Sequence, residues 1–364
     1  MTAFQNWQGK RILVTGGAGF IGSNLVDALV GENQVTVLDD FSTGKPANLT
    51  EAGKSGNLRL VEGSVLDVPL VEQLVRETDV VYHLAVQCLR VCFDRPHHVH
   101  EVNATGTLNV LEAAYRHNPG LERMVYCSSS EAYGTAVNVP MNEATHPVAP
   151  TTVYGASKLA GELYTLAYYT TYGMPAMVLR PFNTYGYREH HEGASGEVIP
   201  RFVVRMLNDL PPVVFGDGSA TRDFTFVTDT VESLIRAGQS ESLIGSATNL
   251  AYGREVDIKT IAQKLLTLLD KPALTIQWEA ERPGDVHRHY ADIGKFQAAT
   301  GWKPGIDIDT GLQLYVDWFR NTYPDPAALL GDCRTRNWEL DEDPSPPSPL
   351  SPRGEGEKPD LVNI

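Results

Sequence analysis

Apolar and polar positions along this chain alternate between short apolar runs and longer stretches with helical spacing. Residues 10–15 form a β-branched, apolar run that stops at glycine, which predicts a buried strand. Residues 23–30 repeat apolar side chains at helical intervals, and 34–38 form a second strand. Two more strands are expected at 58–61 and 80–85, with a helix over 70–76 between them. A helix from about 99 to 115 leads to a strand at 124–127; a helix from 154 to about 172 leads to one at 176–179. Apolar strands separated by helices predict an α/β protein with a doubly wound parallel sheet, helices covering both faces. A seven-strand sheet is expected, and residues 226–231 and 247–250 are expected to return to it. The expected division is therefore 1–184 for a nucleotide domain, with returning segments near 224–252, and 185–323 for a smaller lobe. From Pro324 the apolar pattern gives way to proline and acid, as in Asp343-Pro344-Ser345-Pro346-Pro347, so 324–364 is expected to be a disordered tail.

Chemistry enters at the first turn. Gly16, Gly17, Gly19 and Gly22 lie between the first strand and the first helix. Glycine lets backbone N–H groups approach a pyrophosphate, whose charge the helix N-terminus favours. The second strand ends in Asp39 and Asp40, about twenty residues beyond the glycines, where a carboxylate can accept both ribose hydroxyls of a dinucleotide. The same carboxylate would repel a 2′-phosphate, so NAD is expected rather than NADP.

A second cluster spans Ser128-Ser129-Ser130-Glu131 and Tyr154 with Lys158. A phenol ionises near pH 10, so Tyr154 serves as a base only beside positive charge. Lys158, four residues on along a helix, shares its face and can supply that charge. The predicted strand order brings the serines, Glu131, Tyr154 and the glycine turn to one rim, beyond the carboxyl ends of the strands.

Taken together, residues 15–22, Asn103 before Gly106-Thr107, the serine run before Tyr133-Gly134, and Tyr154 with Lys158 resemble the extended short-chain dehydrogenase/reductase family, in particular its nucleotide-sugar epimerases and dehydratases. Residues 180–186, Gly216-Asp217-Gly218, Arg222-Asp223-Phe224 and Arg282-Pro283-Gly284-Asp285 extend the resemblance over about 10–320. It implies a Rossmann-type doubly wound parallel sheet with a smaller C-terminal substrate-binding lobe. By resemblance, Gly16, Gly19, Phe20, Ile21 and Gly22 meet the NAD pyrophosphate. Asp39, Asp40, Ser42, Thr43 and Gly44 surround the adenosine side, with Ser64 and Val65. Leu84, Ala85, Val86, Asn103, Tyr154, Lys158 and Pro181 complete the cofactor set, while Asn183, Val198, Arg222, Arg282 and Asp285 bind a nucleotide-diphosphate sugar. Three positions depart from the family pattern: Ser64 where aspartate is frequent, Val86 where alanine is usual, and Cys127 where serine is common.

The resemblance also implies oxidation at sugar carbon 4, with Ser129, Ser130, Glu131, Tyr154 and Lys158 as the catalytic group. Glu131 points past simple epimerisation to a 4,6-dehydratase, because removal of the carbon 5 proton needs a base. Dehydratases of this kind frequently carry an aspartic acid where Ser130 stands. A 4-epimerase and a UDP-glucuronate decarboxylase are the alternatives, and a non-catalytic NAD-binding protein is disfavoured by the intact Tyr154 and Lys158. A segment at 188–196 is either a solvent loop or a wall of the sugar site. In similar proteins the helices near 99–115 and 154–172 pair with a partner's to form a homodimer.

Composition narrows the partners. A net charge of −15 over 364 residues argues against nucleic acid and anionic membranes. No run approaches the roughly 18 apolar residues of a membrane span, and the expected location is cytoplasmic, with its four cysteines reduced. No metal is expected, since His97, His98, His100, His190, His191, His287 and His289 lack a recognisable ligand spacing and are expected to line loops.

Overall fold

The computed structural model describes residues 6–281, 287–334 and 336. Its first six strands are β1 (Arg11–Thr15), β2 (Gln34–Asp39), β3 (Leu58–Glu62), β4 (Val80–His83), β5 (Arg123–Cys127) and β6 (Ala176–Pro181). Shorter strands follow: β7 (Asn183–Tyr185), β8 (Val213–Phe215), β9 (Thr221–Arg222), β10 (Phe224–Phe226), β11 (Ala247–Leu250), β12 (Val256–Asp257) and β13 (Gln277–Glu279). Seven form one parallel sheet in the order β11-β6-β5-β4-β1-β2-β3. The central register places Val14 beside Val37 on one side and Tyr82 on the other. Every residue of β4, β5 and β6 is buried, which is why these strands read as unbroken apolar runs. The edge strand β3 is largely exposed and carries Arg59 and Glu62, charges that discourage edge-to-edge pairing.

The helix Val153–Tyr172 starts where Thr152 Oγ1 accepts the Gly155 N–H at 3.0 Å and ends at Gly173, whose φ of 71° is the left-handed turn that glycine tolerates best. The expected helix at 99–115 is broken into Pro96–His100, a π-helical turn over Glu101–Thr105, and Gly106–His117. Such wide turns accumulate at functional sites, and this one holds Asn103. These are the helices that the resemblance assigns to a homodimer interface, and Leu108, Tyr115, Leu163, Tyr169 and Tyr172 on them are exposed.

Two expectations need correction. Residues 226–231 do not rejoin the main sheet: β10 pairs in parallel with β7, with Phe224 beside Asn183, and the chain then enters the helix Val227–Gln239. Val227, Val231, Leu234 and Ile235 are buried at helical spacing, so burial of one stripe outweighs the β-branched composition. Only β11 returns, alongside β6. Residues 326–332 do not belong to a disordered tail, because Pro326–Asp332 forms a 3-10 helix whose Leu329 and Leu330 pack on the core. Asn208 Nδ2 donates to the Pro326 carbonyl at 2.9 Å and holds it there. The rest of the expected tail, beyond 336, lies outside the described residues.

One cluster of buried apolar side chains runs from Ile12 through Phe226 to Phe319, so the sheet and the later helices share a core. Asp229 joins them further, its Oδ2 accepting the N–H groups of Gly305 and Ile306. No helix among the described residues is long and apolar enough to cross a membrane.

Candidate active site

A cavity of about 880 Å³ opens beyond the carboxyl ends of the central strands. Gly16, Gly19, Phe20, Ile21 and Gly22 form one wall. Gly16 has φ of 69°, and a Cβ there would lie 2.7 Å from the Ala85 nitrogen. A Cβ on Gly22 would lie 2.1 Å from the Gly16 carbonyl oxygen, so the helix and the turn meet at a distance only glycine allows. The helix Phe20–Leu29 has no side-chain cap, which leaves its first-turn N–H groups suited to an anion.

Asp39 is buried at the end of β2. Its Oδ2 accepts the Ala18 N–H and its Oδ1 the Phe41 N–H, each at 2.9 Å. Burial pushes this carboxyl up, and the two backbone donors oppose that push. Each oxygen keeps a second lone pair for a ribose hydroxyl. Asp40 is exposed and accepts the Ser42 N–H. A glycine cradle closed to any Cβ, an uncapped helix start and a carboxylate at the strand end together fit NAD.

Ser42, Thr43, Ser64, Val65, Leu84, Ala85, Val86 and Pro181 also line the cavity. Gly44 and Asn103 are not among its lining. Gly44 packs behind Asp39, where a Cβ would fall 2.7 Å from Oδ1. Asn103 stands one layer back: its Oδ1 accepts the Gln87 N–H, and its Nδ2 donates to the Gln87 carbonyl and to Ser157 Oγ. Ser157 in turn donates to the Tyr154 carbonyl, so Asn103 ties the wall after β4 to the helix carrying Tyr154.

Behind that wall runs a chain of bonds that sequence reasoning missed. The Ala85 N–H donates to Thr15 Oγ1, which stands 2.6 Å from His83 Nδ1. His83 Nε2 lies 3.0 Å from Thr107 Oγ1, which donates to the Asn103 carbonyl. Because Thr107 spends its proton on that carbonyl, it must accept from Nε2–H, and Nδ1 must accept from Thr15. Burial together with Lys158 pulls the His83 pKa down to about 3, so the ring is neutral and this is its one tautomer.

The serine run divides its work. Ser128 donates to Glu162, which also binds Arg180 Nε at 2.9 Å in a buried pair. Arg180 lies over the Tyr133 ring at 4.6 Å, so this group holds β5, β6 and the Val153–Tyr172 helix together. Ser129 hydrogen-bonds the Tyr154 phenol and accepts the Glu131 N–H at 3.2 Å. Ser130 is buried beside the cavity that it helps to line. Burial pushes Tyr154 well above its ordinary pKa; the Ser129 bond opposes this, and the charge of nearby Glu131 adds to it.

Lys158 is buried, donates to the Cys127 carbonyl at 2.6 Å, and lies over the Tyr126 ring. Burial pulls its pKa down to about 8 from 10.5, while Cys127 and Glu162 oppose the fall. Between those pH values the unfolded chain binds more protons than the folded one. The penalty is therefore full below about pH 8 and relieved as pH rises to 10.5. After allowance for the lost hydrogen bond, Lys158→Met should stabilise the NAD-free protein by about 1–3 kcal/mol at pH 7, a gain that fades toward pH 10.5. Urea unfolding at both pH values checks this; an equal difference at both would contradict it.

The far end of the cavity collects Asn183, Val198 and Arg222, as expected, together with Arg90, His190, Glu197, Arg201 and His289, which were not. Arg282 and Asp285 lie outside the described residues. Arg90 grips Glu197 with two parallel bonds of 3.1 and 3.2 Å. The 188–196 segment is not a solvent loop: Glu189 and His191 are buried, and His191 packs edge-on against Phe319 and Tyr323. Its Glu192 pairs with Lys45 at 2.5 Å, joining the segment to the loop beyond Asp39. His97, His98 and His100 depart from the expectation that the histidines line loops, since they lie on the helix Pro96–His100; His191 and His289 do lie on loops but are buried. No local sequence signal marks them, because the partners are distant in the chain. Among the described residues no group of three metal-ligating side chains gathers.

Comparison with known proteins places this geometry. The model of the NAD dependent epimerase/dehydratase family matches residues 12–251. A putative UDP-glucose 4-epimerase of Methanocaldococcus jannaschii is 34% identical over 314 residues, covering 85% of this chain and 98% of that protein. A dTDP-glucose 4,6-dehydratase of an Actinoplanes species is also 34% identical, over 325 residues, with 85% and 98% covered. Among solved structures, the UDP-N-acetylglucosamine 4-epimerase of Methanobrevibacter ruminantium, in complex with UDP-N-acetylmuramic acid, superposes with a TM-score of 0.82 at 30% identity. That match covers 87% of this chain and all of that one.

Proposed function

Since the chain belongs to the NAD-dependent epimerase/dehydratase family and uses NAD, we propose that it is a nucleotide-sugar 4,6-dehydratase. The observation that carries this reading is the placement of Glu131. Glu131 lines the cavity, and its charge is felt by Tyr154, Arg90 and Cys92. An isomerase that only inverts carbon 4 has no use for a base there.

When bound, NAD would take the hydride of carbon 4 and, after water has left, return it to carbon 6, while carbon 5 takes a proton from solvent. The chain's own part begins with Tyr154, which takes the proton from the carbon 4 hydroxyl, assisted by Ser129 and by the positive charge of Lys158. With carbon 4 a ketone, the carbon 5 proton is acidified and Glu131 removes it. The carbon 6–oxygen bond then breaks. Glu131, now a carboxylic acid, gives its proton to the departing hydroxyl, which leaves as water. This double use answers the absence of an acid at Ser130. Arg222, and by resemblance Arg282 and Asp285, hold the diphosphate and nucleoside; an arginine fork matches phosphate oxygens in shape and charge.

A second reading, a nucleotide-sugar 4-epimerase, is favoured by Ser130, which cannot act as the acid of a dedicated dehydratase pair. The equal identity to relatives named for each reaction leaves both in play. A decarboxylase draws less support: Glu192 lies on the segment that would face a uronate and Glu197 just beyond it, and Lys45 and Arg90 are already paired with them. Incubation with UDP-, dTDP-, GDP- and CDP-sugars, read by mass spectrometry, separates the three. Loss of water is expected; an isomer of unchanged mass or loss of carbon dioxide would replace the proposal.

A further inference from the structure

His289 is held from three sides. Its backbone carbonyl accepts the Asp223 N–H at 3.1 Å, and its ring packs on Phe182 with centroids 5.0 Å apart. The ring also hydrogen-bonds the Ser130 backbone. Because Nε2 is buried without a partner, that third bond belongs to Nδ1, which donates its proton to the Ser130 carbonyl. The residue is only 3% exposed, yet it lines the cavity. Burial and the charge of Arg222 keep the ring neutral. Nε2 is then a bare lone pair that can accept a hydrogen bond and cannot give one.

A second orphan shares the cavity wall. Asn183 Oδ1 is also buried without a partner, and it too is an acceptor. Buried polar atoms are rarely left unsatisfied, so two acceptors on one wall call for a ligand that brings donors. A polyol does so. A carboxylate offers only acceptors and gains nothing opposite them.

Resting on the nucleotide-sugar reading above, we propose that His289 Nε2 accepts a hydrogen bond from a hydroxyl of the hexose. It thereby acts as a positioning residue for the sugar ring.

The test compares the NAD-loaded wild type with His289→Leu, which removes the acceptor, and His289→Gln, whose amide oxygen restores one. Probes are UDP-glucose, dTDP-glucose and GDP-mannose, whichever is converted, with their 2-deoxy and 3-deoxy forms. His289→Leu should lower kcat/KM roughly 10- to 100-fold, with NAD content and thermal midpoint unchanged. One deoxy analogue should cost the wild type a similar factor but cost His289→Leu less than about threefold. His289→Gln should recover most of the loss, and remains informative if the leucine variant does not fold. Losses that multiply for both analogues, or a leucine variant as active as wild type, would overturn the proposal. Conversion of none of the three sugars by the wild type would instead sink the nucleotide-sugar reading, and this inference with it.

Discussion

Tyr154→Phe is expected to lower kcat by about 10²- to 10⁴-fold with every nucleotide sugar the protein converts, while NAD content and thermal stability hold. The change deletes one oxygen. It leaves the helix Val153–Tyr172, its Thr152 cap and the Asn103–Ser157 tie untouched. What it removes is the phenol that Ser129 touches inside the cavity. Since burial raises the Tyr154 pKa, its phenolate is scarce at neutral pH, and wild-type kcat/KM should climb as pH rises from 7 toward about 8, above which Lys158 gives up its charge. The phenylalanine variant should lose that climb. Retention of more than about a tenth of wild-type kcat would mean that another group takes the proton.

Glu131→Gln carries the second large effect. Glutamine keeps the shape and the backbone bond to Ser129 but cannot accept the carbon 5 proton at a carboxylate oxygen. Water elimination should fall about 10²- to 10⁴-fold, whereas Tyr154, Ser129 and Lys158 remain to oxidise carbon 4. The variant should therefore form the 4-keto sugar and stall before water is lost, with NAD bound as in wild type. Product analysis by mass spectrometry after a single turnover separates this from general damage. If the variant converts substrate at the wild-type rate, Glu131 is not the base, and the epimerase reading gains.

Much of the scaffold was legible because its signals are local. Strands such as β4 and β5 are buried on both faces, so their apolar runs announce them. Gly22 is required by its backbone approach to Gly16, a few residues earlier, and Asp39 follows at a spacing set by one strand–helix–strand unit. What escaped depends on contacts far apart in sequence. Ser128, Ser129 and Ser130 are chemically identical in the chain, and only Glu162, Tyr154 and His289 tell them apart. Residues 226–231 read as a return to the main sheet, but β10 at their start pairs with β7, more than a helix away, and the rest is helix. His289 offers no signal at all; its meaning lies in a carbonyl at Ser130 and a ring at Phe182. The π-helical turn at Glu101–Thr105 is equally silent, because its spacing differs from an ordinary helix by one residue.

The central claim is that Glu131 removes the carbon 5 proton of a 4-keto sugar. Conversion in deuterated water, with the product weighed and its label located by NMR, tests it most directly. The account predicts a product that has lost one water and carries one solvent deuterium at carbon 5, with none at carbon 6. An isomer of unchanged mass, free of deuterium on carbon, would contradict it and identify a 4-epimerase.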